Sequence, residues 1–244
     1  MVVNLDELLL FRGKDYVVND KISIHHPTLN EIADYGEQEY YGLVSRLTSI
    51  PSDYKGQLDE LGIDYEEISD FDLFILICKG LNVEESKILF GDLNFANLNL
   101  FKNTNTDEPV LYNEEQDFII DRAIYEVIME FIRKINGFEK KIERAGNAAT
   151  KKFLIEESKE QLKKSQNKPF KSMLIPLISS LVNSPEFKYN HTTVWDLPIY
   201  TFMDSVKRIQ KIKSYDNLMQ GIYTGNVDSK KLNKDDLNWL GELR

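Results

Sequence analysis

The chain has 244 residues, of which 42% are hydrophobic, 11% aromatic and 29% charged, with a net charge of −10. That balance excludes a disordered chain, and no apolar run approaches the ~20 residues a spanning helix needs, the longest being Leu73 to Cys78. Charge is segregated: residues 1–130 carry 9 Lys/Arg against 27 Asp/Glu, residues 131–171 carry 12 against 5, and residues 172–244 carry 9 against 8.

In chain order, Leu8 to Phe11, Tyr16 to Val18 and Lys21 to His25 read as short strands separated by Arg12–Asp15 and Asn19–Asp20. Pro27 closes this sheet, and Thr28 with Glu31 forms a capping-box pattern for a helix to about Ser49, with Gly36 a weak point. Ser52 to Leu61 reads as a short helix. Ser69 and Asp72 open a nearly all-apolar helix over 71–79, and Val83 to Phe90 forms another. Asn94 to Phe101 alternates as a strand and returns through Lys102–Pro109 into Val110–Tyr112, a second hairpin able to extend the first sheet. Asn113 is the expected cap of a long helix, Glu114 to Ile135. Its Ile124, Ile128 and Phe131 face inward with Phe71, Phe74 and Ile77, while Asp121, Arg122, Tyr125, Glu126 and Arg133 mark the wetter side.

Glu139 to Gln166 is polar almost all round, which predicts an exposed basic helical arm. Lys163 to Lys171, with Asn167 and Pro169, reads as a linker. Met173 to Val182 is an apolar helix kinked or restarted at Pro176, and Pro185 to Thr192 is loop. Asp196 opens a helix that continues after a bend through Tyr215–Tyr223, and Asp235 to Leu243 makes a last short helix anchored by Trp239. The expectation is a mainly helical α+β protein: a small N-terminal antiparallel sheet with packed helices and an all-helical C-terminal half. Its regions are 1–136 (acidic α+β), 137–171 (basic arm and linker) and 172–244 (helical).

No catalytic, cofactor or metal site is expected. His25 and His26 are neighbours on a strand and point to opposite faces, His191 stands alone, and Cys78 lies inside an apolar run as a buried thiol. The acidic pairs at 66–67, 84–85, 114–115 and 235–236 sit largely at helix starts, where carboxylates complement the helix dipole. The candidate partner-binding residues fall in two groups. Lys140, Lys141, Lys151 and Lys152 stand in the basic arm, where interleaved Glu and scarce aromatics argue against nucleic acid and for a protein surface, the acidic half being one. Tyr200, Met203, Tyr215 and Met219 recur along one predicted helix; such residues usually fill a core, with a groove for a partner as the second reading.

Two stretches carry a resemblance. Gly13 to Asn19 (GKDYVVN) with Ile22 to Ile32 (ISIHHPTLNEI), and Trp195 to Tyr200 (WDLPIY) with Gly221 to Asp228 (GIYTGNVD), resemble small tail-module proteins of phages infecting Gram-positive bacteria, a group that includes tail-assembly-chaperone-like proteins. The resemblance implies a non-enzymatic assembly helper that binds an elongated tail partner such as the tape measure protein. A minor structural virion protein at the neck or baseplate is the alternative, and a nucleic-acid-associated phage factor the third. The start of the chain has no basic, apolar leader, and one cysteine suits a reducing compartment, so the host cytoplasm is the expected location, with the virion as alternative. Self-association is a further expectation; a membrane is not.

Overall fold

A computed structural model describes residues 5–165 and 168–243. Gln166 and Asn167, which fall in the expected arm and linker, lie outside the described residues. The fold is mainly helical α+β, with a two-stranded and a three-stranded antiparallel sheet.

The first correction comes at once. Leu8 to Phe11 is not a strand but most of a short helix, α1 (Glu7–Phe11), because the Asp6 side chain accepts the Leu8 N–H at 2.9 Å and nucleates a turn. The strands β1 (Tyr16–Val17) and β2 (Ser23–Ile24) pair as expected. Thr28 and Glu31 make the capping box that starts α2 (Leu29–Tyr35). Gly36, at φ +106°, divides the expected single helix into α2 and α3 (Glu37–Thr48), a backbone state other residues rarely adopt. A 3-10 turn at Pro51–Tyr54 leads into α4 (Lys55–Glu60), followed by α5 (Asp70–Cys78) and α6 (Val83–Phe90). Cys78 is buried on α5, where burial pushes its thiol up to about 11.

The second hairpin does not extend the first sheet. β3 (Asn99–Lys102), β4 (Pro109–Asn113) and β5 (Phe118–Ile120) form a sheet of their own. β5 occupies the start of the expected helix 114–135. Asn113 caps no helix: its Oδ1 accepts the Glu115 and Gln116 N–H groups in a turn, and Asp117, at φ +53°, completes the hairpin. The real cap is Asp121, whose Oδ1 accepts the Ile124 N–H at 2.8 Å and opens α7 (Arg122–Asn136). The strand expected from Asn94 starts only at Asn99, because the Asn94 side chain folds back onto the Ala96 N–H.

α7 crosses the centre. Tyr125 and Arg133, expected on its wet side, are buried: Tyr125 packs between Phe71 and Phe74 at ring distances of 5.4 and 5.1 Å, and Arg133 donates to the Thr48 carbonyl at 2.7 Å. Phe71, Phe74, Ile128 and Phe131 are buried as expected, whereas Ile124 and Ile77 are only partly so.

Beyond an irregular segment, α8 (Ala148–Ser165) lies against α4 rather than projecting. α9 (Leu174–Val182) and α10 (Ile199–Tyr223) follow. α10 begins after Pro198 rather than at Asp196, which belongs to a 3-10 turn, and runs on to Tyr223 as one helix. The expected last helix, 235–243, is a run of turns. Pro27–Leu29 and Leu197–Ile199 are laced together: the Leu29 N–H donates to the Leu197 carbonyl at 3.0 Å and the Ile199 N–H to the Pro27 carbonyl at 2.9 Å. Leu174, Ile178, Leu181, Phe202, Val206 and Ile209 thereby join the same buried core as Leu29, Phe71 and Phe131.

Candidate functional site

The main candidate is built where α7 ends beside α10. Gly137, at φ +67°, stops α7 in the left-handed conformation, and the Phe138 N–H then donates back to the Arg133 carbonyl at 2.9 Å. This C-cap leaves the Phe138 ring partly exposed over the first turns of α10. The result is a cleft of about 230 Å3 whose apolar wall is Phe138, Tyr200, Met203 and Leu243 and whose rim is Lys134, Glu139, Asp204 and Lys207.

The cleft is held from below. His26 is buried, and its Nε2 accepts the Tyr200 N–H at 3.4 Å. Its ring meets those of Phe131 and Tyr200 edge-on at 6.1 and 6.4 Å. Burial, helped by the neighbouring His25, pulls the His26 pKa down to about 4, so the ring is neutral at pH 7. His25 and His26 lie just past β2 rather than on a strand, and His25 bonds Asp15 and Glu31 at 2.8 and 3.0 Å. Phe11 packs edge-on against Tyr200 at 5.3 Å, and the Thr201 hydroxyl donates to the Phe11 carbonyl. Gly13 makes this approach possible: a Cβ there would stand 2.2 Å from Pro198 Cγ.

Rim charges respond to this setting. Lys134 bonds Glu7 at 2.7 Å, which raises its pKa. Burial raises the Asp204 carboxyl, against the opposing pull of Arg208 and Lys207. Burial also raises the Tyr200 hydroxyl, with Glu7 adding to it.

The residues singled out from sequence separate into distinct places. Tyr200 and Met203 meet in the cleft. Tyr215 and Met219 do not reach it: they lie on α10 beyond Ile209, its last fully buried residue, in a partly exposed stripe with Ile212 and Ile222. Lys141 lines a shallow neighbouring depression with Arg133 and Lys207, and Lys152 faces solvent. Lys140 and Lys151 do not line the cleft but pair with carboxylates of the acidic half. Lys140 pairs with Asp70, and Lys151 bonds Asp64 at 2.6 Å and Glu66 at 2.8 Å. These bonds raise the Lys151 pKa and lower those of Asp64 and Glu66. Lys159 pairs likewise with Asp59 at 2.6 Å.

Phe138, Lys134, Lys207 and Leu243 were not singled out from sequence. Only Phe138 had a local signal, an aromatic directly after a helix-stopping glycine. No helix among the described residues is long and apolar enough to cross a membrane, and no group of three or more His, Cys, Asp or Glu among them is placed to hold a metal ion.

These features define a mainly helical α+β protein whose candidate site is an apolar-walled docking cleft with a charged rim. Residues 164–244 match the family model described as the YomV second domain, a phage-associated family. The match takes in α9, α10 and the Tyr200–Met203 wall of the cleft. No curated protein and no solved structure shows significant similarity to the chain.

Proposed function

We propose that the protein is a non-enzymatic, tail-assembly-chaperone-like phage protein that binds an apolar segment of an elongated tail component such as the tape measure protein. The observation that carries this reading is the cleft itself: Phe138, Tyr200, Met203 and Leu243 present an apolar wall to solvent within reach of both signs of charge, and α10, which supplies two of them, belongs to the segment with phage-family similarity. Apolar pockets with a few placed polar groups favour capture of a side chain or short segment over chemistry on it. Several carboxylates and the buried histidine have structural roles. Asp6, Asp121 and Asp228 cap helices, and His26 accepts a backbone N–H.

The test is co-expression with the tail genes of the cognate phage. Wild-type protein should co-purify with the tape measure protein and be absent from finished particles. Phe138→Asp with Met203→Asp should retain the circular dichroism spectrum and lose the capture. Fixed copies in purified virions would instead make it a minor structural component.

A further inference from the structure

We propose that α8 is a displaceable occupant of a second docking surface on the acidic half, and that this surface takes a basic amphipathic helix of a partner protein in its place. The inference goes beyond the cleft reading and does not depend on it.

The surface is a small apolar cluster of Leu58, Tyr65 and Leu73, with Tyr54, Ile63, Ile68 and Ile77 packed around it, separate from the main core. Around it stand Asp59, Asp64, Glu66 and Asp70. α8 covers it with the stripe Lys151, Leu154, Ile155, Ser158, Lys159 and Leu162, spaced at i, i+3, i+4, i+7, i+8 and i+11 as one helix face. Of that stripe only Ile155 joins the cluster. None of the described side chains of α8 is fully buried, and its largest apolar residue, Phe153, points to solvent.

Beside the Ile155 contact and the close approach of α4 at Gly56, ion pairs hold α8 in place. Lys151 sits between Asp64 and Glu66, Lys159 reaches Asp59, and the Glu66 carboxylate also accepts the Ala145 N–H at 2.9 Å. Such partly solvated pairs are weakened by salt, even though the Lys151 and Lys159 stems are themselves largely covered. The fit beneath is incomplete. The Tyr65 hydroxyl, under the Lys151 side chain, is buried with no hydrogen-bond partner. Buried polar groups in a finished interface are almost always satisfied. Irregular segments at 138–147 and 168–173 flank α8, so it can leave without unwinding a neighbouring helix.

The chain's own occupant shows the chemistry the surface selects: a helix with lysines two turns apart to meet the carboxylates and an aliphatic residue between them for the Leu58–Tyr65–Leu73 floor. A partner helix with that pattern, plus a polar group placed for the Tyr65 hydroxyl, satisfies the surface better than α8 does.

The probe is a labelled synthetic peptide of residues 146–164, titrated into the full-length protein by fluorescence anisotropy. With Lys151→Glu and Lys159→Glu the tethered helix is released, and the peptide should bind about tenfold or more tighter than to wild type, since occupancy in cis lowers apparent affinity by the open fraction. Adding Asp59→Lys and Asp64→Lys should remove that binding. A double variant with wild-type melting behaviour that binds the peptide no better than wild type would overturn the proposal.

Hydrogen exchange on the wild type keeps the question open to refutation if the variant fails to fold. α8 amides should exchange faster than those of α7, and faster still between about 50 and 500 mM NaCl. Exchange in α8 as slow as in α7 at both salts overturns it. A low-salt dimer that exchanges α8 between copies would assign the surface to a second copy of this chain, against a partner helix. None of these readouts uses the tail component, so failure of tail capture leaves them standing.

Discussion

α7 and α8 are consecutive helices of similar length, 15 and 18 residues, yet they are attached to the protein by opposite means. α7 buries eight residues, among them Tyr125, Ile128, Phe131 and Ile132, and its two ends are fixed by Asp121 and Gly137. α8 fully buries none of its described side chains and holds on through Lys151 and Lys159. The difference follows from composition: apolar residues three and four apart give one helix a face that water expels, whereas lysines on the docking stripe of the other keep it in partial contact with water. Attachment through burial is insensitive to salt and cooperative with the fold. Attachment through charge is local and adjustable.

The largest effect that would sharpen this contrast is truncation in the core. Phe131 is fully buried and stacks on Tyr16 at 5.2 Å. Phe131→Ala should therefore cost about 3–5 kcal/mol in urea unfolding, against well under 1 kcal/mol for Phe153→Ala on the solvent face of α8. Equal losses at the two sites would break the comparison.

A second prediction concerns pH at the packing of His26 against Phe131 of α7. Its folded pKa, about 4, lies below the ordinary 6.5, so between those values the unfolded chain binds more protons than the native one. The contribution of neutral His26 is complete above pH 6.5 and is lost as pH falls toward 4, on the order of 3 kcal/mol from a shift of that size. Comparing urea midpoints at several pH values in that window for wild type and His26→Gln checks it: the slope should flatten in the variant. An unchanged slope would assign the acid sensitivity elsewhere.

The smallest effect tests α8 directly. Gly56 lets α4 and α8 approach, since a Cβ there would stand 3.0 Å from Lys159 Cγ and 3.2 Å from its backbone nitrogen. Gly56→Val should dislodge α8, raising its amide exchange and costing about 1–2 kcal/mol, within the range of overpacking, while α7 exchange is unchanged. Loss of the whole fold would mean that α8 is as integral as α7.

How much of this was legible in the chain depends on how far apart the deciding groups lie. α6 was read to its last residue because Asn82 and Gly91, its two caps, adjoin it. The Thr28–Glu31 box is equally local. In the segment 113–121 Asn113 and Asp121 are both competent caps, so local pattern does not choose between them. What chose Asp121 was pairing of β5 with β4, which sets Ile120 opposite Leu111. Leu8–Phe11 has the composition of a strand, and a hydrogen bond donated by the Leu8 N–H to the Asp6 carboxylate starts it as a helix.

The same division holds for the sites. The amino-acid sequence by itself determined the α+β class, the acidic and basic segregation, the local caps and the 200/203 pair on one helix face, since each depends on residues within a turn or two of one another. Only the tertiary structure decided that Phe138 and Leu243 complete a cleft with Tyr200 and Met203, that Tyr125 and Arg133 are buried, and that the basic helix lies on the acidic half with Tyr65 unsatisfied beneath it. Those outcomes depend on which surfaces meet when residues far apart in the chain are brought together, as Arg133 is with Thr48 and Lys151 with Asp64. Helical and strand periodicity specify which face of an element is apolar, but not which other face will cover it.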